Sequence, residues 1–128
     1  MRKLFYTLTA CSLLMTGTAL AQQQSYQHFE PKPAENLEQA LANIHEYNAK
    51  LKSLAEGEMT PEDLAKVHEI TYTLEVALAR LSKELDVAAN SLEQVHLGSE
   101  AMNEARVKGF AKDYLRTLET ITTSQHDE

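Results

Sequence analysis

Cysteine is almost missing from this 128-residue chain: the only one, Cys11, lies in an apolar run near the amino terminus. A single thiol forms no intrachain disulfide, so stability has to come from packing. Glycine and proline are also scarce, at four and three residues. Nothing between Pro61 and Gly98 stops a helix. Cations are outnumbered, with 12 Lys and Arg against 19 Asp and Glu, a net charge of −7. That balance argues against nucleic acid and anionic lipid surfaces as partners. Catalytic signatures are missing as well. The chain has no Cys-x-x-Cys-His for haem attachment, no Gly-rich phosphate loop, no Ser-His-Asp arrangement and no close carboxylate pair in an apolar setting. The acidic residues, among them Glu35, Glu38, Glu62, Glu75 and Glu93, fall mostly on the solvent sides of the helices read below. These absences point to a non-enzymatic protein.

What is present starts with Met1-Arg2-Lys3, the apolar run LFYTLTACSLLMTGTAL, and Ala19-Leu20-Ala21 ahead of the polar QQQ. Two cations, an apolar stretch of about 7 to 15 residues and small residues before a polar break make a secretory signal peptide. Residues 1–21 are expected to leave after Ala21, which places the product in the periplasm with no membrane contact. A retained anchor would need roughly 20 apolar residues, and Thr7, Thr9, Ser12, Thr16, Gly17 and Thr18 interrupt this run. Leu8-Thr9-Ala10-Cys11 has the form of a lipoprotein box, yet it would leave too short an apolar segment before the cysteine. Cleavage removes Cys11, Arg2 and Lys3. Ten cations then face 19 acids over residues 22–128, a net charge of −9.

Residues 22–33, QQQSYQHFEPKP, combine amides with two prolines and read as a flexible leader. From Ala34 the pattern changes: Leu37, Leu41, Ile44, Leu51 and Ala55, with Ala40, Tyr47 and Leu54 alongside, form one face of a helix over about 34–56. Thr60-Pro61-Glu62-Asp63 is a helix start, with a hydroxyl to cap, a proline at the first position and two carboxylates at the positive end of the dipole. Leu64, Val67, Thr71, Leu74, Leu78, Leu81, Leu85, Ala88, Leu92 and Val95 then alternate steps of three and four. This heptad seam predicts a helix over about 61–97, roughly 55 Å long. Gly98 is expected to terminate it in a left-handed cap and Ser99 to start the next helix. That third helix carries Val107, Phe110, Tyr114, Leu118 and Ile121, and Gly109 within it marks a close helix contact. Residues 123–128 read as a disordered tail.

The expected fold is therefore all-α: a helical domain over 34–122, built of three antiparallel amphipathic helices with one long central helix and bundle or coiled-coil-like packing. Short connections make neighbours antiparallel. Asn48 and Thr71 stand at seam positions, where polar residues set register. Outer helices of about 33 Å leave part of the long seam uncovered, so a homo-oligomer or a helical protein partner is expected to hide it. A break near SKELDVAANS would instead give a four-helix monomer, but nothing in that stretch stops a helix.

VHEITY, residues 67–72, begins like the zinc-hydrolase motif His-Glu-x-x-His and puts Tyr72 where the second His would be. His68 has a structural use beside Val67, packing its ring and keeping one nitrogen hydrogen-bonded. A metal site from other combinations remains the second reading. His45 and His68 each lie about three turns from the 57–60 connection, and Glu46 or Glu69 could complete a zinc or copper set. His96 and Met102 flank Gly98 and would suit copper(I), although Met102 also serves as core filler. His68 and His96 are four heptads apart, roughly 42 Å along one helix, and cannot share an ion. The last helix lacks a His, since His126 is in the tail, so a haem site from a Met and a late His is not supported. No cofactor is assigned.

The segments HFEPKPAENLEQALANIHEYNAKL, MTPEDLAKVHEITYTLEVALARL and EQVHLGSE together resemble a family of small, uncharacterised exported proteins of Gram-negative bacteria, a domain of unknown function. The likeness spans about residues 28–118. It implies an exported helical protein and carries no reaction, cofactor or catalytic residue. The functional expectation is association with itself or another protein along the long amphipathic helix.

Overall fold

A computed structural model describes residues 29–123. The expected signal segment, its Cys11, residues 22–28 of the leader and residues 124–128 of the tail lie outside those residues. The described chain holds three helices and no strand: α1 Leu37–Ala55, α2 Pro61–Glu100 and α3 Glu104–Thr123. At 40 residues, α2 is about 60 Å long and unbroken through SKELDVAANS. It packs against both α1 and α3.

Each helix starts on a side-chain cap. The Gln39 amide donates to Asn36 Oδ1 at 2.9 Å, so α1 opens at Leu37, the first residue of its apolar pattern, rather than near Ala34 as expected. At α2, the Asp63 amide donates to Thr60 Oγ1 and the Thr60 amide donates back to Asp63 Oδ2, both at 3.2 Å, with Pro61 in the first turn. This reciprocal pair satisfies two amides that the helix itself leaves unpaired. The Arg106 amide donates to Asn103 Oδ1 at 3.0 Å and opens α3.

The α2–α3 corner differs from expectation. Gly98 does not end α2, and Ser99 does not cap α3. Asn103 N–H reaches the Gly98 carbonyl at 2.8 Å and Met102 N–H reaches that of Ser99 at 3.1 Å. Those two bonds close the helix two residues beyond Gly98 in the Schellman pattern, with Met102 in the left-handed position at φ 52°. A side chain there is strained, and Met102 is 90% exposed, so it gains little from packing. Met102→Gly should therefore raise stability by about 1 kcal/mol, read as a higher urea midpoint with unchanged slope.

Gly98 has a different use. It is buried, and a Cβ there would sit 3.1 Å from Val107 Cγ2 and 3.3 Å from Arg106 Cβ. Its missing side chain lets α3 come close to α2. Gly109, expected at such a contact, has open space around it. The close approach lies eleven residues earlier in the chain.

The core is also rotated from the predicted seam. On α2 the buried residues are Ile70, Thr73, Leu74, Ala77, Ala88, Ser91 and Gly98. Together with the half-buried Leu81, Glu84 and Val95, they trace a stripe through 70, 74, 77, 81, 84, 88, 91, 95 and 98. Steps of four and three make that a heptad stripe of its own. It keeps one row of the expected seam (Leu74, Leu81, Ala88, Val95) and pairs it with a row of mostly small residues. Small side chains let α1 and α3 approach α2 closely, whereas the leucine row at 64, 78, 85 and 92 is left outside. Opposite this stripe, Leu37, Ala40 and Asn43 are the buried residues of α1. No residue of α3 is buried, and no large side chain among the described residues is fully enclosed.

Residues 29–36 are not helical, but Lys32, Pro33 and Glu35 are fastened to the helices. The Lys32 amide donates to Thr73 Oγ1 at 3.0 Å, and Asn43 Nδ2 donates to the Pro33 carbonyl at 3.0 Å. The prolines forbid a helix there, and the buried polar groups of α1 and α2 supply the partners instead. The Arg80 guanidinium donates to the Glu35 carbonyl, and its Nε lies 3.1 Å from Glu84. Asn48, expected in the seam, is exposed. The buried polar residue of α1 is Asn43.

Candidate interaction surface

Turning the rows of Leu74 and of Ala77 inward leaves the leucines of the row that runs through Leu64, Leu78, Leu85 and Leu92 facing water. Leu64 and Leu78 are each 55% exposed, Leu85 44% and Leu92 47%. At 100° per residue, this row lies about 90° around the helix from the middle of the buried stripe. Next to it run the e positions: the half-buried His68 and the exposed Glu75, Ser82, Ala89 and His96. From Leu78 onward the outer strip reads Leu78, Ser82, Leu85, Ala89, Leu92, His96, again in steps of four and three. Its two ends differ in polarity, with Thr71 and Glu75 before the leucines and His96 after them. Leu78, Leu85 and Leu92 repeat by sevens on one exposed edge, with Leu64 two heptads before Leu78 and the half-buried Thr71 between them, an alignment unlike the scattered surface leucines of most folded proteins.

A family of unknown function, DUF6746, is matched over residues 1–123. The chain belongs to that family. No curated protein and no solved structure matches it. In this DUF6746 protein, no helix among the described residues is long and apolar enough to cross a membrane.

The candidate metal ligands of the DUF6746 chain are placed separately from the leucine row or at its edge. His45 is exposed on α1. His68 is half-buried and meets Tyr72 edge to face, with ring centroids 5.1 Å apart, planes at 73° and Tyr72 Oη 3.4 Å from Nε2. Tyr72, standing where a zinc hydrolase would carry its second His, is thus the neighbour of His68. The His96 ring lies 3.3 Å from Glu100, one turn on. Met102, offered as a sulfur donor or core filler, projects from the corner into solvent. Among the described residues no three His, Cys, Asp or Glu side chains gather as an ion would require. Glu46, one possible third ligand, is instead held by Lys32 at 2.8 Å and Lys50 at 2.7 Å.

Two grooves border α1. One is lined by Lys32, Pro33, Gln39 and Asn43. The other lies between Tyr47, Lys50, Leu54, Lys66 and Ile70 and has a volume of about 590 Å³. Lys50 Nζ sits 4.2 Å from the Tyr47 ring centroid and so occupies the tyrosine face at the second groove.

The charge clusters make one pH prediction. Hydrogen bonds from Lys32 and Lys50 hold the Glu46 carboxyl down, from 4.5 to about 2. The Thr60 hydroxyl, then Lys66, hold Asp63 down from 3.8 to about 2. A depressed carboxylate stabilises the folded chain above its ordinary pKa, and the contribution disappears as pH falls through the lowered value. Comparing melting temperatures of the native chain and Glu46→Gln/Asp63→Asn should show a gap at neutral pH. The gap should narrow between about pH 4.5 and about pH 2. Both side chains keep contact with water, at 43% and 22% exposure, so the gap is expected to be small and reduced by salt.

Proposed function

We propose that this chain is an exported, non-enzymatic helical protein that works by protein–protein association along the outer leucine row of α2. In this reading the domain is an antiparallel three-helix arrangement, with α2 as the long central element. Its support is local: Arg80 reaches Glu35 at the start of α1, whereas Lys66 and Ile70 share a groove with Ser53 and Leu54 near the end of α1. The α1–α2 and α2–α3 connections are also only a few residues long.

The observation that carries the function is the exposure of Leu64, Leu78, Leu85 and Leu92 on one heptad row. Folding of a single chain does not need these leucines outside. Contiguous exposed apolar surface on a small acidic protein marks a contact face. The absence of a catalytic constellation in the sequence agrees with recognition rather than reaction, and the signal-like first 21 residues support a periplasmic setting for it.

The test is Leu78→Gln/Leu85→Gln. Circular dichroism should show unchanged helicity, because both side chains face water in the single molecule. Chemical crosslinking and light scattering of the concentrated protein should show that association is lost. If the double variant associated as the native chain does, the leucine row would not be the contact surface.

A further inference from the structure

Charge is distributed unevenly around the outer leucines. Asp86 follows Leu85, Glu93 follows Leu92, and Glu100 stands seven residues further on. One residue turns the helix by about 100°, so these acids form a row along the outer edge of the leucine row, and Glu75 joins them from three residues before Leu78. All four are exposed. The cations of α2 stand elsewhere: Lys66, Arg80 and Lys83 are each two residues from a leucine of the row, about 160° around the helix. Among the described residues no cation pairs with Glu75, Asp86 or Glu93, whereas Glu46, Asp63, Glu84, Glu104 and Asp113 each meet a lysine or an arginine. We infer that the occupant of this face is an amphipathic helix of another protein whose apolar stripe is bordered by lysines or arginines. This inference rests on the proposal that the leucine row is a contact face and adds the chemistry of the partner.

The argument is one of charge beside an apolar seam. When helices pair, heptad leucines supply the apolar contact and the charges flanking them decide which partner is accepted. Here the flank beyond the leucines is acidic and carries no lysine or arginine, so the helix that fits turns cations towards it. A second copy would bring the same acid row against this one, which confines self-association to concentrated protein and leaves the cationic helix as the stronger occupant. The net charge of −7 attracts the same class of partner from a distance.

The other border of the seat is α3. Gln94 is two residues from Leu92, on the opposite flank of α2, and there its side chain accepts a hydrogen bond from Arg106. Leu115 is nine residues from Arg106 and so about half a turn around α3 from it. Leu115, 60% exposed, therefore faces the same side of the helix pair as the leucine row. Lys108 and Lys112 are exposed on that side of α3, and Lys108 is held by Glu104. The cations of the occupant thus belong on its α2 edge. From Leu78 to His96 the seat is about 27 Å long, room for a helix of about 18 residues. It is small beside the roughly 800 Å² per partner of stable complexes, so the complex is transient and weakens as salt rises.

Two synthetic helices of three heptads test this against the full chain by fluorescence anisotropy. One has leucine at the two core positions of each heptad and lysine at the two flanking positions, and the other has glutamate in place of lysine. Like charges keep each peptide from pairing with itself. The lysine peptide should bind at least about tenfold more tightly than the glutamate peptide. Asp86→Asn/Glu93→Gln should weaken it about tenfold, and Asp86→Lys/Glu93→Lys should reverse the preference, with helicity unchanged in both because these positions are exposed. Glu56→Gln/Glu58→Gln removes as many charges away from the face and should change binding within about twofold. If the lysine peptide bound the Asp86→Asn/Glu93→Gln chain as tightly as the native one while Leu78→Gln/Leu85→Gln lost it, the contact face would stand and the cationic partner would fall. Binding that ignored both pairs of substitutions would overturn the face and the partner together, and failure of the lysine peptide to bind would overturn the partner.

Discussion

Leu74→Ala should destabilise the folded chain by about 2–5 kcal/mol, while Leu78→Ala, four residues along the same helix, should cost within about 0.5 kcal/mol. Both leucines belong to the apolar repeat of α2 and are equivalent by composition. Leu74 is only 8% exposed and lies in the stripe that packs inside the molecule, whereas Leu78 is 55% exposed. Truncating the first removes apolar burial and leaves a gap against its neighbours. Truncating the second removes atoms that already face water. Stability of the whole described region is on the order of 5–14 kcal/mol at the usual value per residue. The first change should thus shift a urea midpoint strongly, and the second should barely move it. The comparison is made in dilute solution, where association adds no stability. Equal costs at the two positions would mean that the helix is rotated relative to the arrangement described above.

The second large effect is expected at Asn43. This amide is 2% exposed and donates from Nδ2 to the Pro33 carbonyl at 3.0 Å. It joins the non-helical segment to α1, while the Lys32 amide on Thr73 joins the same segment to α2. Asn43→Asp keeps the shape and replaces the donor with a second acceptor. A buried charge then faces a carbonyl oxygen, with a cost of about 3 kcal/mol or more at neutral pH. Asn43→Ala should cost less, about 1–3 kcal/mol, because it leaves an unpaired carbonyl without adding charge. Denaturation midpoints of the two variants should therefore fall in the order native, Ala, Asp. An Asp variant as stable as the native chain would show that the segment is not held by this bond.

The sequence made the helices plain and their faces less so. Thr60-Pro61-Glu62-Asp63 announced the start of α2, and the unbroken run to Gly98 made one helix of SKELDVAANS. By size, the heptad leucines are the residues that a repeat pattern assigns to the packed seam. The molecule instead buries Leu74 and Ala88 of that pattern together with the row that contains Ile70, Ala77, Ser91 and Gly98. Small residues give a weak signal by size, yet they are what allow two backbones to approach. Gly98 illustrates the point: it looked like a helix terminator, but it serves helix contact, and Met102 takes the left-handed position. Asn43 was overlooked for a related reason. Its value lies in a bond to Pro33 that no periodicity encodes, and Asn48 matched the repeat better. At VHEITY the missing second histidine was legible, and the edge-on contact of Tyr72 with His68 gives those residues a local structural use. The outer strip itself was half legible: the leucines were visible, but their outward direction depends on which row the small residues bury.

The leucine edge of α2 is expected to be open in one molecule and to become covered when molecules associate. Alkylation of a single cysteine at Ala89, in the chain carrying Cys11→Ser, tests it most directly. The rate should be fast in dilute solution and fall several-fold as concentration rises from micromolar towards millimolar. A slow rate at every concentration would mean that the edge is already covered within one chain, and a fast rate at every concentration would mean that nothing in the protein covers it.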